Sequence, residues 1–218
     1  MGAIGLLFSG AALFLNSLML LGKAEEKSVA FFNILVGLLQ VITPIYLIIT
    51  SDQSNWSMFN NGAVFLFGFT YLYLGATILK GYDWSGLGWY SLWVAMMALV
   101  YAVVFYIQEN DVLNALIWVM WAFLWFLFYL SSALKKPYEA YIGRVAFVQS
   151  WVTLTLPALF MLLDMWQIAK LQQMWIYVCL ASFLYFSVEA IVFFRGRKQT
   201  ASGSSTIIEL KAIPFYMG

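Results

Sequence analysis

Seven stretches of this chain are apolar for long enough to cross a bilayer, and this pattern limits the fold more than any other feature. They cover about 3–21, 29–50, 62–79, 87–107, 112–133, 143–165 and 174–194. A helix needs roughly 20 mostly apolar residues to span the hydrocarbon core. None of the stretches alternates apolar and polar residues as a barrel strand does, so helices are the remaining way to satisfy the backbone in lipid. Composition agrees: 64% of the 218 residues are hydrophobic and 10% are charged, against about 25% charged in a soluble domain. The expected fold is therefore an all-α integral membrane protein with seven transmembrane helices. The connections are short, so the helices pack as sequential neighbours. There is no soluble domain and no internal repeat. Residues 1–198 read as a single membrane domain, and 199–218 as a short polar tail with no span. The first stretch lacks a basic leader and a small-residue cleavage site, which reads as a retained helix rather than a signal peptide.

The loops predict the orientation. With the N-terminus outside, the inner segments hold Lys23, Lys27, Lys80, Lys135, Lys136, Arg144, Arg195, Arg197, Lys198 and Lys211, every basic residue except Lys170. The outer loops carry Asp52, Glu109, Asp111 and Asp164. This is the positive-inside bias, with the C-terminus inside after an odd number of spans.

Several classes of chemistry are excluded by what the chain lacks. A net charge of +1 gives no basic field for a nucleic-acid partner. With no histidine and one cysteine, Cys179, there is no disulfide, no histidine–cysteine metal site and no histidine proton switch. No nucleophile–base set is available, so the chain is not an enzyme, and nothing calls for a cofactor. The seventh stretch has no lysine to carry a retinal Schiff base.

Charge at membrane depth is costly and marks function. Here Glu189 is the main instance. It lies less than two turns from Arg195 and reads as sitting near the inner interface, with a transport role as the other reading. The remaining polar residues within the spans are uncharged: Asn16, Asn33, Gln40, Thr70, Ser91 and Gln149. Each taken alone reads as an interhelical hydrogen bonder. Together they suit a path for a neutral solute rather than an ion.

The fifth stretch carries an aromatic stripe. At about 100° per residue, Asn114, Trp118, Trp121 and Trp125 fall within an arc of about 60°, and Phe67 and Tyr71 share a face of the third stretch. Interfacial belts favour Trp and Tyr only at the ends of a span, and Trp121 and Trp125 lie deeper. Two readings remain. The stripe packs against core or lipid, or its rings wall a slot for a small planar molecule, with indole N–H and phenol O–H groups as donors. Pro44 and Pro157 fall inside spans, where each kinks a helix or frees a carbonyl.

The segments "LLFSGAALFLNSLMLLG", "FLFGFTYLYLGA", "GWYSLWVAM" and "LIWVMWAFLWF" resemble the AmiS/UreI family of urea and short-chain amide channels, over Met1 to about Trp166. The resemblance implies a passive channel in the bacterial inner membrane, a twisted six-helix bundle with its own pore, assembled as a hexamer around a lipid-filled centre. It implies an outer constriction of Leu6, Phe67, Tyr71 and Trp118, with Thr70 in the same motif. The inner constriction would use Ser9, Leu13, Trp121, Leu124 and Trp125. Three departures point to the amide-type branch without acid gating. The outer loop "SDQSNWSMFNN", 51–61, is short and histidine-free. Gln149 stands where gated urea channels have a pore-side glutamate. Asn114 stands where a further tryptophan would be. The seventh helix is an addition to the six-helix pattern. The competing expectation is an ion-coupled secondary transporter of a small neutral metabolite, which calls for buried ionisable groups and inverted repeats.

Overall fold

The computed structural model describes the backbone of residues 2–211 and the side chains of residues 2–196. Arg197, Lys198 and Lys211, counted above in the charge bias, and the end of the tail fall outside the described side chains. Seven helices are long and apolar enough to cross a membrane, and no strand occurs among the described residues. They are α1 (Gly2–Leu20), α2 (Glu26–Thr50), α3 (Asn55–Lys80), α4 (Ser85–Gln108), α5 (Val112–Ser132), α6 (Glu139–Leu162) and α7 (Ala169–Lys211). In α7 the stretch apolar enough to span is Ala169–Gly196. The helix continues into the segment expected to be a separate tail.

The third helix begins earlier than its hydropathy suggests. Ser54 caps it, its hydroxyl accepting from the Ser57 backbone N–H at 3.1 Å. Asp52 in turn accepts from the Ser54 amide at 3.0 Å. Most of the presumed outer loop 51–61 is thus the first two turns of α3, and the link from α2 is a tight capped turn. A capping serine overrides polar composition at a hydrated helix end.

The sixth helix is continuous but not uniform. Ser150–Thr155 forms a π turn just ahead of Pro157. Proline has no N–H and its ring crowds the carbonyl four residues back, so the ladder must widen there. The Leu156 N–H reaches the Trp151 carbonyl, five residues back, and the Thr155 hydroxyl donates to the Ser150 carbonyl at 2.7 Å. α1 lies against this widened turn at Gly10, where any Cβ would collide with Thr155. Pro44 acts differently. It leaves α2 unbroken, and Gly68 of α3 comes up against Gln40, whose carbonyl proline cannot bond.

Packing runs α1 on α2, α2 on α3, α3 on α4, α4 on α5, α5 on α6, and α6 back onto α1. Six helices therefore close a ring. α7 lies outside that ring, against α5 and α6. Arg144 of α6 pairs with Glu189 of α7 at 3.2 Å, and the Tyr141 hydroxyl donates to the Phe186 carbonyl at 3.0 Å. Glu189 is thus a partner for α6 on the outer side of the ring.

Candidate functional site: a lumen walled by rings

Inside the ring is a cavity of ≈ 500 Å³. Each lining helix offers one stripe. α1 gives Leu13, Asn16, Met19 and Leu20; α3 gives Phe67, Thr70, Tyr71 and Leu74; α4 gives Leu87 and Ser91; α5 gives Trp121, Leu124, Trp125 and Phe128. The spacings i, i+3, i+4, i+7 are those of one helical face. Ile142 and Leu154 of α6 complete the wall. The cavity extends to the end of the bundle that carries the basic turns, where Gly22, Glu26, Trp84, Ser131, Lys135 and Glu139 border it. Among the described residues, its only charged lining groups, Glu26, Lys135 and Glu139, are at that mouth.

The rings pack edge to face. Phe67 of α3 lies 4.8 Å from Trp121, at 83° between planes, and 4.9 Å from Trp125. Trp118 meets Trp121 at 4.8 Å and 84°. This arrangement suits the ring quadrupoles, and it makes a rigid wall rather than a pliable one. Behind it runs a stack missed by the stripe analysis: Trp118 lies flat on Tyr101 at 4.5 Å, and Tyr101 on Phe59 at 4.2 Å. The Tyr101 hydroxyl donates to the Phe59 carbonyl at 2.8 Å. The signal for Tyr101 was present in α4, where Leu87, Ser91, Val94, Ala98 and Tyr101 make one buried stripe.

Of the residues expected to line a pore, Leu13, Phe67, Thr70, Tyr71, Trp121, Leu124 and Trp125 come together around the cavity. Leu6, Ser9, Asn114, Trp118 and Gln149 do not border it. Leu6 packs half-buried beside the aromatic core. Ser9 is fully buried between helices: its hydroxyl accepts from Gln40, and its carbonyl accepts from the Tyr71 hydroxyl at 3.1 Å. Asn114 lies in the first turn of α5, held by the capping residue Asp111, whose carboxylate accepts from the Asn114 backbone N–H at 2.9 Å and from its side-chain amide at 2.6 Å. Gln149 is fully buried and donates to the Met120 carbonyl at 2.9 Å, tying α6 to α5.

The polar handles of the rings are largely spent inside the wall. Tyr71 donates to Ser9, and the Trp121 indole N–H donates to the Thr153 hydroxyl at 2.9 Å. Thr70 and Ser91 turn their hydroxyl protons back to the Leu66 and Leu87 carbonyls, at 2.6 Å and 2.8 Å. Asn16 apart, the described lining therefore offers mostly ring faces, aliphatic side chains and a few lone pairs. No group of acidic, histidine or cysteine side chains able to hold a metal occurs among the described residues.

Outside the membrane-spanning segments, three carboxyls are held low: Glu25, by hydrogen bonds from the Lys27 and Ser28 amides, Asp52 and Asp83. Hydrogen bonds from the Ser57 hydroxyl, then the Ser54 amide and hydroxyl, keep Asp52 below its ordinary value. Hydrogen bonds from the Ser85 hydroxyl and amide, then Lys135 at 3.1 Å, hold Asp83 well below it. Asp52 and Asp83 remain ionised throughout the mildly acidic range.

A closed ring of membrane helices around a lumen with a neutral wall is the build of a membrane transporter or channel. Comparison with known proteins then identifies the kind. The family model for AmiS/UreI family transporters matches residues 1–165, and the chain belongs to that family. It is 40% identical over 163 residues to a Rhodococcus erythropolis protein named as the transporter AmiS2, covering 74% of this chain and 79% of that one. It is 36% identical over 172 residues to a Mycolicibacterium smegmatis protein named as a transporter of amidate substrates, covering 78% and 81%. The acid-activated urea channel of Helicobacter pylori is 28% identical over 189 residues, covering 74% and 97%. The structure of that urea channel in its closed state superposes with a TM-score of 0.70, covering 76% of this chain and 100% of the other. The chain is accordingly a multi-pass protein of the bacterial inner membrane, where helical bundles reside, rather than an outer-membrane barrel. α7 lies beyond the matched stretch.

Proposed function

We propose that this protein is a passive channel for small neutral polar solutes, urea and short-chain aliphatic amides, and that it is not acid-gated. The observation that carries this reading is the neutral, ring-walled lumen whose charged groups sit only at its mouth. A flat solute of a few heavy atoms slides between ring faces, while an ion finds no group to replace its hydration shell. The names of the relatives, amide transporters and urea channels, support the same solutes. The conducting path passes Leu13, Phe67, Thr70, Tyr71, Trp121, Leu124 and Trp125. Its continuation to the far face runs past Leu6 and Trp118 to Asn114, with Ser9 and Gln149 bracing the wall from behind.

Residues 1–198 form the channel domain and 199–218 its tail. The basic turns put the cavity mouth on the cytoplasmic side, with the N-terminus outside and the C-terminus inside. By likeness to the family, the assembly is a hexamer set in membrane lipid. An ion-coupled transporter needs an ionisable group on the path, and Glu189 is off it, paired with Arg144.

Stopped-flow light scattering on proteoliposomes tests the proposal, with urea, acetamide and glycerol compared in turn. Flux should follow the solute gradient and ignore an imposed proton gradient or membrane potential. Uphill accumulation in sealed vesicles would show that the protein is coupled.

A further inference from the structure

The Asn16 side chain borders the lumen one turn along α1 from Leu13 and is 3% exposed. It forms a reciprocal pair with Asn33 of α2. Asn16 Nδ2 donates to Asn33 Oδ1 at 3.0 Å, and Asn33 Nδ2 donates back to Asn16 Oδ1 at 2.6 Å. Asn33 Nδ2 also donates to the Val29 carbonyl at 2.9 Å. That third bond settles which end of each amide is nitrogen, because only an N–H can meet a carbonyl.

A carboxamide has two N–H groups and two acceptor lone pairs. Asn33 uses both of its N–H groups. Asn16 uses one, and its second N–H is left over on the residue that touches the cavity. Among the other polar side chains of the lining, the hydroxyls of Thr70 and Ser91 have spent their protons on their own helices, and the Tyr71 O–H and Trp121 N–H are spent on Ser9 and Thr153. A spare donor on a residue that borders an apolar-walled lumen stays unpaired unless a solute or water meets it, and an unpaired buried donor is costly.

We propose that Asn16 is the amide-recognising residue of the lumen, its spare N–H donating to the carbonyl oxygen of a passing urea or short-chain amide. Asn33 positions it by clamping the other side of the carboxamide, so that the donor is fixed before the solute arrives. The lone pair left on Asn16 Oδ1 accepts an N–H from a second orientation of the same solute. The inference rests on the proposed permeant class and adds the group that tells it from other small polar molecules: an alcohol lacks a carbonyl oxygen, and an ion is left unsolvated.

The test uses the full-length purified assembly in proteoliposomes, with acetamide and ethylene glycol as probes of similar size, of which acetamide alone has a carbonyl. Two variants are compared with the unmodified protein. Asn16→Leu combined with Asn33→Leu removes the pair without stranding a partner and slightly fills the lumen. Asn16→Ser keeps a hydroxyl for Asn33 Oδ1, leaves no spare N–H and widens the lumen. Loss of one such donor should lower the acetamide-to-glycol permeability ratio about five-fold in both variants. A steric effect would move the ratio in opposite directions, since one variant narrows the path and the other widens it. An unchanged ratio in either assembled variant, or opposite shifts, would overturn the role of Asn16. If the unmodified protein passes neither probe faster than protein-free vesicles, it is the permeant reading that fails instead.

Discussion

Removing the Tyr71 hydroxyl distinguishes a lumen donor from a brace. Tyr71 borders the cavity, and one of the two readings of the sequence gives its phenol O–H to the solute. In the structure that O–H donates to the Ser9 carbonyl at 3.1 Å, tying α3 to α1. Tyr71→Phe changes almost no volume and deletes this bond. Interhelical hydrogen bonds in membrane bundles are worth about 0.6 kcal/mol on average. The net value of a typical intramolecular hydrogen bond is about 1 kcal/mol. The Ser9 carbonyl lies within α1 and keeps a helical partner, so the lower figure applies. At roughly 2–4 °C per kcal/mol for a chain of this size, the melting temperature of the detergent-purified assembly should fall by about 1–2 °C. Fluorescence-detected size exclusion after a temperature series measures this, and stopped-flow light scattering on the same preparation measures urea and acetamide flux. Flux should stay within a factor of about two, because no lumen donor is lost and the loss of one costs a few-fold. A few-fold fall in flux at unchanged melting temperature would refute the assignment and return the hydroxyl to the lumen.

Trp125→Ala opens the wall beside Phe67, so glycerol should gain relative to urea in the permeability series; the same ratio in an assembled variant would show that this ring is only packing. Truncating a buried tryptophan costs about 3–5 kcal/mol, so the variant should also melt markedly lower. Flux should be nearly flat between about pH 5 and 8, since the chain has no histidine and the depressed carboxyls Asp52 and Asp83 lose their contribution only as pH falls below that window; steep activation at pH 5 would contradict this. Gly68→Ala places a methyl 3.0 Å from the carbonyl carbon and oxygen of Gln40, a backbone neighbour that cannot rotate away, and should cost about 1–3 kcal/mol of stability, read as a lower melting temperature.

Hydropathy made the seven spans legible because a bilayer demands long apolar helices and little else. It placed the cores of all seven and missed the start of α3, where Ser54 decides the boundary through a hydroxyl rather than through apolarity. It found Pro157 but not the π turn ahead of it, since proline forbids a bond without stating how the chain recovers. For the lumen, the i, i+3, i+4 stripes brought out Phe67, Tyr71, Trp121 and Trp125, and their extension by one turn reaches Leu74 and Phe128. The destination of each polar proton stayed hidden. Tyr71 to Ser9, Trp121 to Thr153 and Gln149 to Met120 all join different helices, and spacing along one helix is silent about what the next one offers. Asn16 and Asn33 stood out as polar residues in apolar helices, yet their pairing shows only when α1 lies against α2.

The placement of α7 outside a ring that is already closed has a practical consequence for anyone who attaches something to this protein. An odd number of crossings leaves Gly2 and Gly196 on opposite faces of the membrane, whereas a chain stopping after α6 would have both ends on one face. A fluorescent reporter or affinity handle appended beyond α7 therefore sits in a different compartment from the same handle appended after α6. Because none of the described residues of α7 borders the lumen, the helix that carries such a handle lies aside from the path of the solute.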